Sequence, residues 1–424
     1  MHTLKEIYQD NEERNFIDPS LYSRYRVKAG LRNDNGTGVK VGLTKICDVI
    51  GYKIIHEKKY NIDGQLIYRG YPINYLVNKQ PSDKICGFEE TAYLLIFGTL
   101  PNADQLKAFK DYLLNFKMGP VDLQYETPNI LNALQIEVLK LYAKDPSADT
   151  DDLEERMIKG LKILASIPLF TFSYARNKVF KSYPYPDRSL AENILCMARG
   201  NDQYTFEEAK IMDTLLMVHA DHGGGNNSTF ANVVISSTGT DIYSCISAAI
   251  GSLKGPKHGG ANCKVTNMFK AIFHEVGFTT DQTTLKKIAN RILDKDFFDH
   301  SGLIYGIGHA IYTKSDPRAL LIHEQCEALA KSKGQEEIYN CIHAFEKVAI
   351  EVMKERKGID VCANVDYYSG YVYSLLGIES DLFTPLFAIS RTAGWVSHHL
   401  ENRQSNRKLI RPANVYVGEM EEIK

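Results

Sequence analysis

The sequence has little net charge, no closely spaced pair of cysteines and no apolar run long enough to cross a bilayer. The 50 Lys and Arg residues nearly balance the 52 Asp and Glu residues, which leaves a formal charge of −2. No overall field attracts nucleic acid or an anionic membrane, so neither partner is expected. The longest notable apolar run, 163–172, is too short to span a bilayer and contains Pro168.

The 8 cysteines suit neither a zinc site nor a disulfide framework, because none belongs to a C-x-x-C pair. Several fall inside apolar helical patterns, so they are expected to be reduced and mostly buried. The acidic N-terminus, with Glu6, Asp10, Glu12, Glu13 and Asp18, is unlike a mitochondrial presequence, and no secretory apolar region is present. These features indicate a cytoplasmic location.

Helical periodicity dominates the chain, and 424 residues can bury more than one domain. The apolar spacing predicts long helices over about 104–117, 153–176, 281–295, 316–332, 335–356 and 384–403. Capping residues predict further helix starts at Thr127-Pro128, Ser189 with Glu192, and Thr205 with Glu208. Strand signals lie within 51–71, where Asp63-Gly64 has the composition of a hairpin turn.

Four short segments interrupt the helical pattern with Gly, Pro or Asn and carry polar groups. The first is residues 219–227, HADHGGGNN, in which His219 and His222 flank an aspartate and could bind a metal. From these residues alone a helix C-cap is favoured, with left-handed glycines and histidines bonded to the last carbonyls. Three glycines in a row also let a ligand approach the backbone closely.

The second segment is residues 254–262, KGPKHGGAN, which breaks an apolar helical pattern. His258 is therefore expected near a helix N-terminus, where the helix dipole disfavours the imidazolium and keeps the ring neutral. A neutral histidine can donate a hydrogen bond to a developing oxyanion or enol. A structural histidine in a turn explains these residues equally well.

The third segment is residues 306–318, GIGHAIYTKSDPR, and its Asp316-Pro-Arg318 end predicts a new helix. Two glycines permit a close backbone approach to a ligand, and His309 and Arg318 could then meet one small anion. The spacing matches no P-loop or dinucleotide fingerprint. The alternative is a glycine-rich loop with a capping Asp316 and a solvated Arg318.

The fourth segment, residues 363–370 (ANVDYYSG), places Asp366 among apolar and aromatic neighbours. Desolvation there would raise the pKa of Asp366 and make it a better base. In isolation, Asp366 is better explained as the N-cap of a helix beginning at Tyr368. Downstream, Arg391 lies inside an apolar helical pattern, where a structural salt bridge is the simplest explanation. Arg411 follows in the tail, and arginines suit carboxylates because their planar fork bonds both oxygens.

Together and in this order, the motifs resemble the citrate synthase family over nearly the whole chain. The similarity starts at 30–38 (GLRNDNGTG) and 68–71 (YRGY), and takes in HADHGGGN, GPKHGGAN, GIGHAIYTKSDPR, NVDYYSG, SRTAGW and the final RP. The resemblance implies an all-α, two-lobed homodimer. A large lobe would comprise residues 1–267 and 374–424, and a small lobe, residues 268–373, would close over the substrates.

The resemblance also implies an enzyme that condenses acetyl-CoA with oxaloacetate and water to give citrate and CoA, without a metal or cofactor. The matching positions are the catalytic residues His258, His309 and Asp366, and the oxaloacetate ligands His222, Arg318, Arg391 and Arg411. In the family, the arginine that corresponds to Arg411 crosses from the partner subunit. Because the reaction of this family needs no metal, a metal site at His219 and His222 becomes the weaker hypothesis.

The chain departs from the family pattern at two places. The Arg-Lys that often follows the third motif's histidine is replaced here by Tyr312-Thr313-Lys314, so Lys314 alone is a candidate CoA contact. Ala363 stands where proline is common. Three alternatives stay open: a 2-methylcitrate synthase that uses propionyl-CoA, a non-catalytic CoA- or carboxylate-binding regulator, and a metal-binding histidine protein. The two acyl-CoAs differ by one methylene, worth about 1–3 kcal/mol.

Overall fold

The computed structural model describes residues 5, 6, 9, 16–56, 58–119, 123, 127–405 and 408–418. The chain divides into two compact units, Met1–Gly42 with Ile410–Lys424, and Leu43–Leu409. The smaller unit contains helix α1 (Ser20–Arg24) and a 3-10 turn (Ala29–Leu31). The expected division into a large lobe, residues 1–267 and 374–424, and a small lobe, residues 268–373, stays a prediction.

Helices make up most of the larger unit, which confirms the predicted all-α class. In chain order, α2 to α16 are Ile73–Asn78, Gly87–Phe97, Ala103–Leu114, Ile130–Ala143, Leu153–Ala175, Leu190–Arg199, Phe206–His219, Asn227–Ser236, Ile242–Leu253, Ala261–Val276, Gln282–Leu293, Pro317–Ser332, Glu336–Lys357, Val365–Leu375 and Phe383–Ser405. Each long helix predicted from periodicity is present, with ends that differ by a few residues at most.

The helix starts follow the capping residues with one exception. Both predicted capping boxes are confirmed: Ser189 and Glu192 exchange hydrogen bonds at the start of α7, and Thr205 and Glu208 do so at the start of α8. The predicted start at Thr127-Pro128 is wrong. Helix α5 begins at Ile130, because the Asn129 side chain accepts the Leu131 N–H at 2.9 Å and asparagine is a strong N-cap.

Helix α16 (Phe383–Ser405) is the central element of the larger unit. It packs against α3, α6, α8, α9 and α10. Its buried residues occupy every side of the helix, as is typical of a helix enclosed by others. Arg391 and Trp395 on this helix are both 0% exposed. A charged side chain is therefore carried into the middle of the core.

Three antiparallel strands, in the order β1-β2-β3, form the only sheet among the described residues: β1 (Cys47–Ile55), β2 (Lys58–Tyr68) and β3 (Tyr71–Pro72). Strands are present where the sequence predicts them, but the predicted turn at Asp63-Gly64 is wrong. These two residues lie within β2. Here the register between β1 and β2 shifts, from Ile50 opposite Gln65 to Tyr52 opposite Asn61.

The paired strands β1 and β2, here called the β-ribbon, contain two glycines that lie in close contact with the 311–315 loop. A Cβ added at Gly51 would collide with the carbonyl oxygen of Ile311, and one at Gly64 would collide with that of Ser315. The Gly64 N–H also donates to Ser315 Oγ at 3.1 Å. Gly64 is thus required for a close approach of two backbones and not for a turn.

The described residues contain no helix that is long and apolar enough to cross a membrane. The prediction that the cysteines are mostly buried is confirmed. Cys263 is half-buried, the other seven are buried, and all are free thiols.

Replacing Gly51 with alanine is expected to lower the free energy of unfolding by about 1–3 kcal/mol, because the new methyl meets rigid backbone. Urea unfolding followed by the fluorescence of the single, buried Trp395 measures it. Gly119→Ala is the matched control, since a Cβ there meets nothing within 4 Å. Equal stability of the two variants would show that the ribbon does not press on Ile311.

Candidate active site

His222 lies in the segment that follows α8, and its ring is buried. The Tyr68 hydroxyl donates to the Asp221 carbonyl at 2.8 Å, and the Asp221 carboxylate bonds to His398 Nε2 at 3.0 Å. These contacts fix the backbone next to His222, whose own Nε2 has no hydrogen-bond partner. Burial, followed by the nearby Arg318, holds the pKa of His222 well below its ordinary value. The ring is therefore neutral.

The C-cap interpretation of residues 219–227 holds for His219 but not for His222. His219 is the last residue of α8, and its Nδ1 lies 2.7 Å from the Leu215 carbonyl within the same helix. His222 makes no such contact and instead faces His309 edge-on, with 5.2 Å between ring centroids. No group of three or more His, Cys, Asp and Glu in the described part of the chain is arranged to hold a metal ion.

His258 lies in the turn before α11, three residues ahead of Ala261. This position agrees with the prediction of a nearby helix N-terminus. Its Nε2 is 3.0 Å from Ser228 Oγ, which also accepts the Trp395 indole N–H at 3.2 Å. Burial, followed by the charge of Arg391, lowers the pKa of His258 to about 4. A neutral imidazole is thus held at a defined position by a buried hydroxyl.

The third and fourth motifs pair with each other along their backbones. Gly308 donates its N–H to the Cys362 carbonyl, and Asn364 donates its own to the Gly306 carbonyl, both at 2.8 Å. The Asn364 side chain adds a bond to the Gly308 carbonyl at 2.8 Å. Gly306 adopts a φ of +81°, and a Cβ there would lie 2.8 Å from the Tyr367 ring. His309 and Asp366 are therefore held by one paired structure.

Backbone donors determine the tautomer of His309. The N–H groups of Ile311 and Tyr312 both point to His309 Nδ1, each at 3.1 Å. A ring nitrogen that accepts two hydrogen bonds carries no proton, so in the neutral ring the proton is on Nε2. His309 thus presents Nε2–H as a donor.

Asp366 is in the first turn of α15, and its proposed capping role is wrong. The helix begins at Val365, and Asn364 is the N-cap, accepting the Asp366 N–H at 3.0 Å. The Asp366 carboxylate is therefore not used for capping, and its buried Oδ1 has no hydrogen-bond partner. Burial raises the pKa of Asp366 to about 7, even though Arg318 and Arg391 oppose the shift.

Two buried arginines differ in what they bind. Arg318 forms two hydrogen bonds to Asp316, at 3.0 and 2.7 Å, and is 3% exposed, so the interpretation as a solvated arginine is wrong. Arg391 donates from Nε to the His219 carbonyl at 2.7 Å, while its other two nitrogens have no hydrogen-bond partner. The predicted salt bridge of Arg391 is absent from the ion pairs of the described residues.

The charges of these arginines reach the other groups of the site. After burial, Arg391 is a cause of the lowered pKa of both His222 and His258, and both arginines act on Asp366. His222, His258 and Asp366 thus lie within the influence of the charge of Arg391, and His309 lies against His222. Together these residues offer unsatisfied guanidinium nitrogens on Arg391, neutral imidazoles at His222 and His258, and a carboxyl that exchanges its proton near neutral pH.

Two further residues of the expected site lie at the protein surface. Lys314 is exposed, between the loop of His309 and the start of α13. Arg411 is exposed and belongs to the smaller unit. In contrast, Ser228 and Asn364 contact the site but were not singled out from the sequence. A polar residue within the same Gly- and Asn-rich motifs was the only available signal for them.

Comparison with known proteins gives a consistent result. The sequence model described as "Citrate synthase, C-terminal domain" matches residues 33–413. A citrate synthase of Haloferax volcanii is 37% identical over 386 residues, which cover 87% of this chain and 94% of that protein. A 2-methylcitrate synthase of Corynebacterium glutamicum is 33% identical over 366 residues, which cover 83% of this chain and 89% of that protein.

Solved structures agree with the sequence comparison. Citrate synthase from Thermoplasma acidophilum, in a ternary complex with carboxymethyl coenzyme A and oxaloacetate, matches with a TM-score of 0.75 and 26% identity, covering 91% of this chain and 96% of that one. Citrate synthase from Thermotoga maritima matches with a TM-score of 0.72 and 28% identity, with the same coverage. The fold and these relatives define a condensing enzyme of the transferase class. The chain belongs to the citrate synthase family.

Asp366→Asn is expected to stabilise the protein at alkaline pH. Burial raises the pKa of Asp366 from 3.8, its ordinary value, to about 7 in the folded protein. Ionising this buried carboxyl therefore lowers the free energy of unfolding progressively as the pH rises from about 3.8 to about 7. A neutral amide avoids that cost, on the order of 2–4 kcal/mol at pH 8. Thermal unfolding of both proteins at about pH 5.5 and pH 8 measures it.

Asp187→Asn, at an exposed loop carboxylate, is the control for this substitution. It should change stability little at either pH. A stabilisation by Asp366→Asn that is the same at both pH values would contradict the raised pKa of Asp366.

Proposed function

We propose that this enzyme condenses acetyl-CoA with oxaloacetate and then hydrolyses the citryl thioester to citrate and CoA. The main support is that Arg391, with two open guanidinium nitrogens, acts electrostatically on the neutral His222 and His258 and on Asp366, whose buried Oδ1 is unpartnered. A small dicarboxylate would satisfy the arginines, and an acyl donor would need the base. The family relatives support the same reaction.

Asp366 is the proposed base that removes a proton from the thioester methyl group. A thioester methyl is a very weak carbon acid, so a stronger base than an ordinary carboxylate is needed. A pKa of about 7 makes the Asp366 carboxylate a better proton acceptor that is still largely ionised at physiological pH. Its buried Oδ1 has no hydrogen-bond partner, so lone pairs of that oxygen can accept the proton.

His258 is proposed to stabilise the enol or enolate oxygen by a hydrogen bond. For this role its Nδ1 must carry the proton while Nε2 accepts the Ser228 hydroxyl proton. Ser228 then has no proton for Asn226 Oδ1, 2.9 Å away, so the Asn226 amide must present its NH2 group instead. The lowered pKa of His258 keeps the ring neutral, which makes it a donor matched to a weakly acidic enol.

His309 is proposed to polarise and protonate the ketone of oxaloacetate as the carbon–carbon bond forms. In this tautomer Nε2 carries the proton to be donated, because Nδ1 accepts hydrogen bonds from two backbone N–H groups. His222, Arg318 and Arg391 would bind the carboxylates and orient the ketone, which supplies proximity. Water then attacks the citryl thioester, and closure of the 268–373 lobe would exclude water until condensation is complete.

Three further assignments complete the proposal. Arg411 would bind oxaloacetate or citrate in the site of the partner subunit of a homodimer, and Lys314 would contact CoA. The reaction needs no cofactor, because acetyl-CoA is itself a substrate. The free, mostly buried thiols favour a cytoplasmic location.

Propionyl-CoA is the second candidate acyl donor, because a 2-methylcitrate synthase is among the relatives of this chain. We expect kcat/KM to be at least about tenfold higher for acetyl-CoA, within the 1–3 kcal/mol that one methylene supplies. Release of free CoA in the presence of oxaloacetate measures both constants. A preference for propionyl-CoA would reassign the substrate, and no release with either would favour a CoA- or carboxylate-binding regulator.

Asp366→Asn is the catalytic control in that assay. It should reduce kcat by about 10³-fold or more, since the general base is lost, and leave oxaloacetate binding nearly unchanged. Turnover close to that of the unaltered enzyme would remove Asp366 as the base.

Arg391→Ala and Arg411→Ala should each raise the KM for oxaloacetate by about 10- to 100-fold, the worth of a charged hydrogen bond. Mixing the two variants tests the cross-subunit role of Arg411. In a heterodimer of the two variants, one site has both arginines intact. The activity at low oxaloacetate concentration should therefore increase on mixing. No regained activity would mean that Arg411 does not serve the partner subunit.

A further inference from the structure

The ring of Tyr312 is fully buried among residues of the proposed site, although the reaction above gives it no role. It is 0% exposed and stacks on His309, with 4.7 Å between centroids and 24° between planes. It meets His222 edge-on at 5.6 Å, and the Arg318 guanidinium carbon lies 5.7 Å from its centroid. Tyr312 thus contacts one proposed acid and two proposed oxaloacetate ligands.

Tyr312 also connects His309 to the β-ribbon. Its hydroxyl donates to the Gln65 carbonyl on β2 at 3.2 Å, and its backbone N–H donates to His309 Nδ1 at 3.1 Å. The ribbon already lies against this loop at Gly51 and Gly64. The position of the His309 ring therefore depends on a sheet that carries no proposed catalytic residue.

We propose that Tyr312 is a positioning residue: its stacked ring fixes the plane of the His309 ring, so that Nδ1 stays against its two backbone donors and Nε2–H points toward the ketone. The inference rests on the proposed function for His309. An imidazole ring can turn about its χ2 bond, and only one orientation points Nε2–H at the substrate. An offset aromatic stack restricts that turn, and a misplacement of about 1 Å can cost roughly 100-fold in rate.

The contacts of Arg318 predict which kinetic constant changes. Asp316 holds Arg318 through two hydrogen bonds that do not involve Tyr312. The carboxylate site should therefore survive the loss of the tyrosine ring. A positioning role of Tyr312 then affects kcat far more than the KM for oxaloacetate.

Two substitutions separate the ring from the hydroxyl. Tyr312→Leu removes the stacked ring and is expected to reduce kcat about 10- to 100-fold, with the KM for oxaloacetate within about threefold. Tyr312→Phe keeps the ring and loses only the bond to Gln65, so its kcat should fall no more than about fivefold. Tyr60→Leu, at an exposed tyrosine on the same strand as Gln65, is the control and should leave kcat unchanged.

The second readout is the ¹⁵N spectrum of histidine-labelled protein, with the His309 signals assigned by their loss in His309→Gln. The unaltered protein and Tyr312→Phe should show one fixed tautomer protonated at Nε2, and Tyr312→Leu should show signals averaged between tautomers. Tyr312→Met replaces the leucine variant if that protein does not fold.

Several results would overturn the proposal. The first two are a kcat of Tyr312→Leu equal to that of Tyr60→Leu, and a loss of activity in Tyr312→Leu with an unchanged His309 spectrum. The other two are an effect of Tyr312→Leu confined to a higher KM, and a Tyr312→Phe variant as impaired as Tyr312→Leu. If the unaltered enzyme releases no CoA from either acyl-CoA, the proposed function fails. The ¹⁵N spectra still decide whether Tyr312 orients His309.

Discussion

A guanidinium buried without a hydrogen-bonded counter-ion is the constraint on which the rest of the site depends. Arg391 is 0% exposed, and only its Nε is bonded, to a backbone carbonyl. An unpaired buried cation costs several kcal/mol, which the fold offsets through the Phe387 ring at 4.6 Å and the nearby Asp221 carboxylate. Its two open nitrogens have the geometry to bind one carboxylate of the proposed oxaloacetate.

Burial and charge together explain the protonation of the neighbours of Arg391. Desolvation makes protonated imidazole unfavourable at His222 and His258; Arg391 adds to this effect at both, and Arg318 adds to it at His222. Desolvation acts in the opposite sense on Asp366, where it exceeds the attraction of the arginines. One environment therefore produces neutral hydrogen-bond donors and a strengthened base side by side. Catalysis of carbon-acid chemistry near neutral pH requires that combination.

Local chemistry made much of this structure predictable. The long helices and the capping boxes at Ser189 and Thr205 follow from spacing and side-chain hydrogen bonding alone. The motifs also singled out His258, His309 and Asp366, and the catalytic roles of these residues stay a prediction. Prediction failed where two residues compete for one role: Asn129 replaces Thr127 as a cap, and Asn364 caps the helix that was assigned to Asp366. It also failed at Gly64, whose purpose is a contact with a loop some 250 positions away.

The pairing of 306–308 with 362–364 has a consequence for how this protein can change during evolution. The chain leaves that junction at His309, forms α13 and α14, and returns to it at Cys362. The intervening segment begins and ends at the same place, so its length does not set the spacing of His309 and Asp366. Insertions at the exposed α13–α14 turn can accumulate among descendants, whereas a single residue gained or lost at the junction would change the position of His309 relative to Asp366.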